Sequence, residues 1–140
     1  MTEPLARCAF ARAILAGQAG CALGRRQSRG ESESVACASP VAHFNCALLL
    51  DLLRERGTFA LRLPPPARPL VHAQSMRLQC GGALAIAQAL GRDRPDDLHD
   101  MVAQAHVRWG GLADIPFAQV VAAMAGWRAR RRAAGKGEAP

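Results

Sequence analysis

Residues 39–57 read SPVAHFNCALLLDLLRERG, and the way this stretch starts and stops decides the fold class. Ser39 is suited to cap a helix, because its hydroxyl can accept a hydrogen bond from a first-turn N–H. Pro40 follows as a good first helical residue, since its missing N–H would be unpaired there anyway. Val41, Phe44, Leu48 and Leu52 then recur at helical spacing, extended by Ala47 and Leu49, and this stripe is expected to face the core. Gly57 is placed to end the helix by taking a left-handed conformation.

On the C-terminal side, Thr58 to Leu63 alternates weakly and reads as a lone strand or an extended connector. Pro64, Pro65 and Pro66 stop it and predict a stiff, polyproline-like crossing. A further helix is expected from Pro69 or Leu70 to Gln79 or Cys80, with Gly81 and Gly82 breaking it. Ala83 to Leu90 reads as helix again, closed by Gly91. Asp96 and Asp97 start the next, in which Leu98, Met101, Val102, Ala105 and Trp109 share a face before Gly110. Asp114 is expected to cap the last helix, with Phe117, Val120, Val121, Met124 and Trp127 inward.

On the N-terminal side, residues 21–36 read CALGRRQSRGESESVA. Gly24, Gly30 and the Ser/Glu alternation interrupt any helical period, so a short turn followed by a loop is expected. Before that, Thr2, Glu3 and Pro4 look like a helix start. Leu5, Cys8, Ala9, Ile14 and Leu15 would form its apolar stripe, ending near Gly17 or Gly20. Within that stripe Cys8 reads as a small buried hydrophobe.

Composition agrees with helices. Half of the 140 residues are hydrophobic, aromatics make up only 4 %, and Ala carries much of the apolar count. Such a chain buries a real core and favours helix over strand. The expectation is an all-α, mostly helical single domain of about five or six helices with at most one short extended segment. Residues 1–127 would form that domain, with a Cys-rich metal-site region at 21–82, and residues 128–140 a basic, flexible tail. More than half of the net charge of +7 sits in that tail, on Arg128, Arg130, Arg131, Arg132 and Lys136 against Glu138. No aromatic residue is interleaved with these arginines, which weighs against a single-stranded nucleic-acid platform.

No apolar run is long enough to span a membrane. Gly20-Cys21 could pass for a lipoprotein cleavage site, but Glu3, Arg12 and Gln18 each break the expected export-signal pattern. Cytoplasm is therefore the expected compartment, and in a reducing compartment five thiols are not a disulfide framework.

Four of those thiols are spaced C-x15-C-x8-C-x33-C, at Cys21, Cys37, Cys46 and Cys80. Zinc modules take their ligands in close pairs, and no CxxC occurs here, so zinc ribbons and redox dithiols are disfavoured. Widely spaced thiols suit a cluster of several irons, which is larger than one ion and can be gripped from separate elements. Cys37 precedes the N-cap Ser39, near the positive end of a helix dipole, a setting that suits an anionic ligand. His43 lies one turn before Cys46 on the same helical face, as a ligand, a hydrogen-bond donor to a thiolate or a structural residue. Gly81 and Gly82 would let backbone amides approach a cluster sulfur, and Arg77, Arg25, Arg26 and Arg29 would offset its negative charge. His72 is a weaker candidate, and His99 and His106 fall outside the constellation.

The functional expectation is a small iron–sulfur protein of bacterial type. Cys21, Cys37, Cys46 and Cys80 would hold one [4Fe–4S] cluster for electron transfer, redox sensing or cluster delivery to a protein partner. Full thiolate ligation leaves no open iron, so catalysis is not expected. Two other readings compete: a zinc-stabilised interaction domain using three cysteines and His43, and a metal-free helical module whose Arg-rich tail binds nucleic acid or an acidic partner.

Overall fold

The computed structural model describes residues 5–129. The expected helix start at Thr2, Glu3 and Pro4 lies outside the described residues, as does the basic tail from residue 130 on. Helix accounts for 53 % of the chain, so the mostly helical reading holds at that level, but a two-stranded antiparallel sheet accompanies it.

The sheet is the main departure. β1 (Gly24–Arg29) and β2 (Ser32–Cys37) pair from Gly24 opposite Cys37 to Arg29 opposite Ser32. Gly30 has φ of +62° and Glu31 has no positive φ, the pattern of a type II′ two-residue turn. The Ser/Glu alternation that suggested a loop is thus a period-two pattern on a strand exposed at its turn end. At its other end β2 is buried through Val35, Ala36 and Cys37. The preceding segment covers its far edge: Cys8 N donates to Val35 O and Cys37 N donates to Ala6 O, both at 2.8 Å. Residues 5–8 therefore run along this edge before a turn at Ala9 and Phe10, and the first helix is only α1 (Ala11–Leu15). This pairing displaces the longer helix expected around Cys8.

α2 (Pro40–Gly57) begins as read, with Ser39 Oγ accepting from Ala42 N at 3.1 Å. Its rotation is not as read. Ala42, Cys46, Leu49, Leu53 and Gly57 face inward, whereas Val41 and Phe44 are 72 % and 66 % exposed. The inward face is the one whose small residues allow close packing, and hydrophobic periodicity alone does not say which of two apolar faces that will be. After Gly57 the chain forms turns rather than a strand. Arg54 Nη2 then holds the proline segment, donating to Pro65 O at 2.9 Å and Arg68 O at 2.6 Å.

α3 (His72–Met76) continues through a π-helical turn (Arg77–Gly81) into α4 (Gly82–Ala89). Gly81 and Gly82 do not break this rod. A Cβ at Gly82 would lie 2.8 Å from Leu53 Cδ1, and one at Gly81 3.1 Å from Trp127 Cβ, so both are close-approach points for α2 and the C-terminal segment. Gln79 Oε1 accepts from Arg12 N at 3.0 Å and Ala13 N at 3.3 Å, docking the start of α1 against the π-turn.

α5 (Leu98–Trp109) ends at Gly110 in the left-handed conformation, as expected. α6 (Phe117–Gly126) starts after Pro116, so Asp114 belongs to a preceding 3₁₀ turn (Leu112–Asp114) and is not its cap. Leu53, Ile86, Leu98, Met101, Val120 and Met124 form the fully buried centre between α2, α4, α5 and α6.

Candidate metal centre

Four cysteines from four different segments line one cavity: Cys8, Cys21, Cys37 and Cys46. Each is delivered by local structure. Cys8 is carried by its pairing to the edge of β2, and Cys37 ends that same strand. Cys46 is on the inward face of α2, two turns after the Ser39 cap. Cys21 is held by the start of α5: Gly20 N donates to Pro95 O at 3.0 Å, Leu98 N to Gly20 O at 2.8 Å, and Ala22 N to Asp97 Oδ1 at 3.0 Å. A Cβ at Gly20 would fall 2.6 Å from Asp96 O, so only glycine allows this approach.

Ala9, Gly24, Ala42 and Leu98 complete the apolar wall, and His43 and His99 line the same space. The lining atoms enclose about 330 Å³ including the part open to solvent, of which about 10 Å³ admits the centre of a water molecule. That is room for about one water. All five cysteines are free thiols, and Cys37 Sγ donates to Ser39 O at 3.2 Å. His43 Nδ1 is buried without a hydrogen-bond partner. A buried polar atom left that way costs about 1–3 kcal/mol.

The thiols feel one another. Burial first, then the charges of Cys8, Cys21 and Cys37, push the Cys46 thiol up to about 12. Burial also raises Cys8, partly opposed by a hydrogen bond from the Phe10 backbone, with Cys21 and Cys37 adding to the rise. These two are protonated at neutral pH, so a metal must displace their protons to bind.

Of the residues singled out in the sequence, the structure brings Cys21, Cys37, Cys46 and His43 together and leaves Cys80 elsewhere. Cys80 is 1 % exposed in the π-turn, and burial alone pushes its thiol up to about 11. Arg77, Gly81 and Gly82 stay with it in that turn or at the start of α4. Cys8 takes the fourth position, and His99, from the first turn of α5, joins the rim. Only the sheet register carries Cys8 there, and no spacing within the chain signals it. Arg25 and Arg26 are engaged locally: Arg25 Nη1 donates to Ala22 O and Gly24 O, and Arg26 Nη2 to Ile14 O. His72 Nδ1 lies 2.9 Å from Arg12 Nη1, away from the thiols.

Among the described residues, no group of three or more His, Cys, Asp or Glu is placed so that it could hold a metal ion. The chemistry of the side chains is still of the kind a thiophilic centre takes, since four thiols and an unpartnered imidazole nitrogen share one largely apolar wall. A bound centre would therefore require these side chains to rearrange. Comparison with protein-family models, curated proteins and solved structures finds no match. Among the described residues no helix is long and apolar enough to cross a membrane.

Proposed function

We propose that this chain is a small iron–sulfur protein in which Cys8, Cys21, Cys37 and Cys46 hold one cluster, most simply [4Fe–4S]. It would serve electron transfer, redox sensing or cluster delivery to a protein partner in the cytoplasm. The observation that carries this reading is the meeting of four thiols from four separate segments at one apolar cavity. Cys8 thus replaces Cys80 in the ligand set read from the sequence.

When bound, the cluster supplies a one-electron couple whose potential follows hydrogen bonding and solvent exposure. The chain's own residues do the rest. The thiols of Cys8 and Cys46 give up their protons on binding, and Ala9, Ala42 and Leu98 keep water from the sulfurs. Gly20 and Asp97 hold the Cys21 loop in place. With four cysteines as ligands no position is left for a substrate, which argues for transfer or sensing over catalysis.

Zinc is the second reading, favoured by the tightness of the cavity, since a single tetrahedral ion needs less space than a cluster. Against it stand the four well-separated ligands, with no close pair to form a knuckle. Anaerobic purification followed by iron, acid-labile sulfide and zinc analysis decides between them. A brown protein with matching iron and sulfide supports the cluster, and a colourless one with a single zinc per chain overturns it.

A further inference from the structure

We infer that His43 is the hydrogen-bond donor to the bound centre, its Nδ1–H directed at a sulfur of the cluster or of the Cys46 thiolate. This rests on the cluster reading above. His43 lies three residues before Cys46 on α2, so the two side chains emerge from one face a single turn apart. The residue lines the four-thiol cavity, and its Nδ1 is buried with no partner. The other buried polar side-chain atoms without partners among the described residues, on Arg54 and Gln104, belong to residues that do not line this cavity. Thiolates and bridging sulfides are the acceptors that a centre in this cavity brings, and an imidazole N–H facing them acquires a partner on loading. Four thiolates already complete a tetrahedral donor set, so the imidazole is a positioning and tuning residue and not a fifth ligand. A donor to cluster sulfur stabilises the more negative, reduced state and raises the reduction potential.

The test uses the full chain, loaded anaerobically with ferrous iron and sulfide, as wild type, His43→Leu and His43→Asn. The asparagine amide keeps a donor close to the position of Nδ1, and leucine keeps bulk without a donor. Equal iron and sulfide per chain is expected in all three, with the midpoint potential lowered in His43→Leu and largely restored in His43→Asn. Resonance Raman spectra of the loaded wild type in H2O and D2O supply a readout that needs no variant: an isotope shift in the Fe–S stretching bands is expected. An unchanged potential in fully loaded His43→Leu, or no isotope shift in the wild type, overturns the assignment. Loss of all metal in His43→Leu with the fold intact also overturns it, because His43 would then be a ligand. A wild type that takes up neither iron nor sulfide sinks the cluster reading itself, a result distinct from these.

Discussion

Cys46 and Cys80 are both buried, at 7 % and 1 % exposure, and burial raises the thiol pKa of each. Their company differs. Cys46 faces three other thiols across a small cavity, and their charges add to its shift. Cys80 has burial alone, in a π-turn next to two glycines used for helix packing. Burial therefore does not separate the proposed ligand from a core thiol in this molecule. What separates them is whether the neighbours are further thiols on other segments or the side chains of packed helices.

Metal removal has the largest expected effect on this difference. A structural thiolate centre contributes folding free energy, of order 10 kcal/mol in small zinc peptides. Loading is expected to raise the thermal midpoint of wild type and of Cys80→Ala by the same large amount, and a chelator or oxidant to reverse it in both. Differential scanning calorimetry checks this; a gain absent from Cys80→Ala would return Cys80 to the centre.

Two glycines give the next contrast. Gly20→Ala forces a Cβ against the Asp96 carbonyl, which is backbone and cannot swing away. A loss of about 1–3 kcal/mol is expected, with reduced iron content because the Cys21 loop moves. In Gly82→Ala the clashing atom is the end of the Leu53 side chain, and helix propensity returns about 1 kcal/mol, so a nearly neutral effect with full iron content is expected. Urea unfolding and metal analysis of both variants test the pair.

Cys80→Ala itself removes one buried sulfur and leaves a small void, for a loss of about 1 kcal/mol with no change in metal per chain. A pH dependence comes from the same two thiols. Folded-state values for Cys46 and Cys80 lie above the ordinary 9.0, at about 12 and about 11. The fold thus favours the protonated thiols. Their contribution is present in full below about pH 9 and declines as pH rises through the folded values. The metal-free protein is expected to lose stability between about pH 9 and 12. The loaded protein should lose less, since its Cys46 is already deprotonated and bound, and denaturant melts across that range check the difference.

Much of the helical part was legible because its signals are local. The Ser39-Pro40 start of α2, the Gly110 end of α5 and the Phe117–Met124 face of α6 each sit within a few residues of the feature that specifies them. The hairpin was not, because its exposed strand is polar throughout and offers no apolar alternation to count. Three of the four cavity thiols, Cys21, Cys37 and Cys46, are among those singled out in the sequence. Cys8 was hidden because a long-range pairing to Val35 brings it in, and His99 because the Gly20–Leu98 link is equally remote along the chain. Cys80 looked like a ligand because glycines follow it, but those glycines answer to Leu53 and Trp127.

The most direct measurement is the iron and sulfide content of Cys8→Ser beside Cys80→Ser, each reconstituted anaerobically and compared with wild type. Cys8→Ser is expected to lose most of its cluster, by about tenfold or more, while Cys80→Ser retains all of it. Full loading of Cys8→Ser together with an empty Cys80→Ser would contradict that expectation.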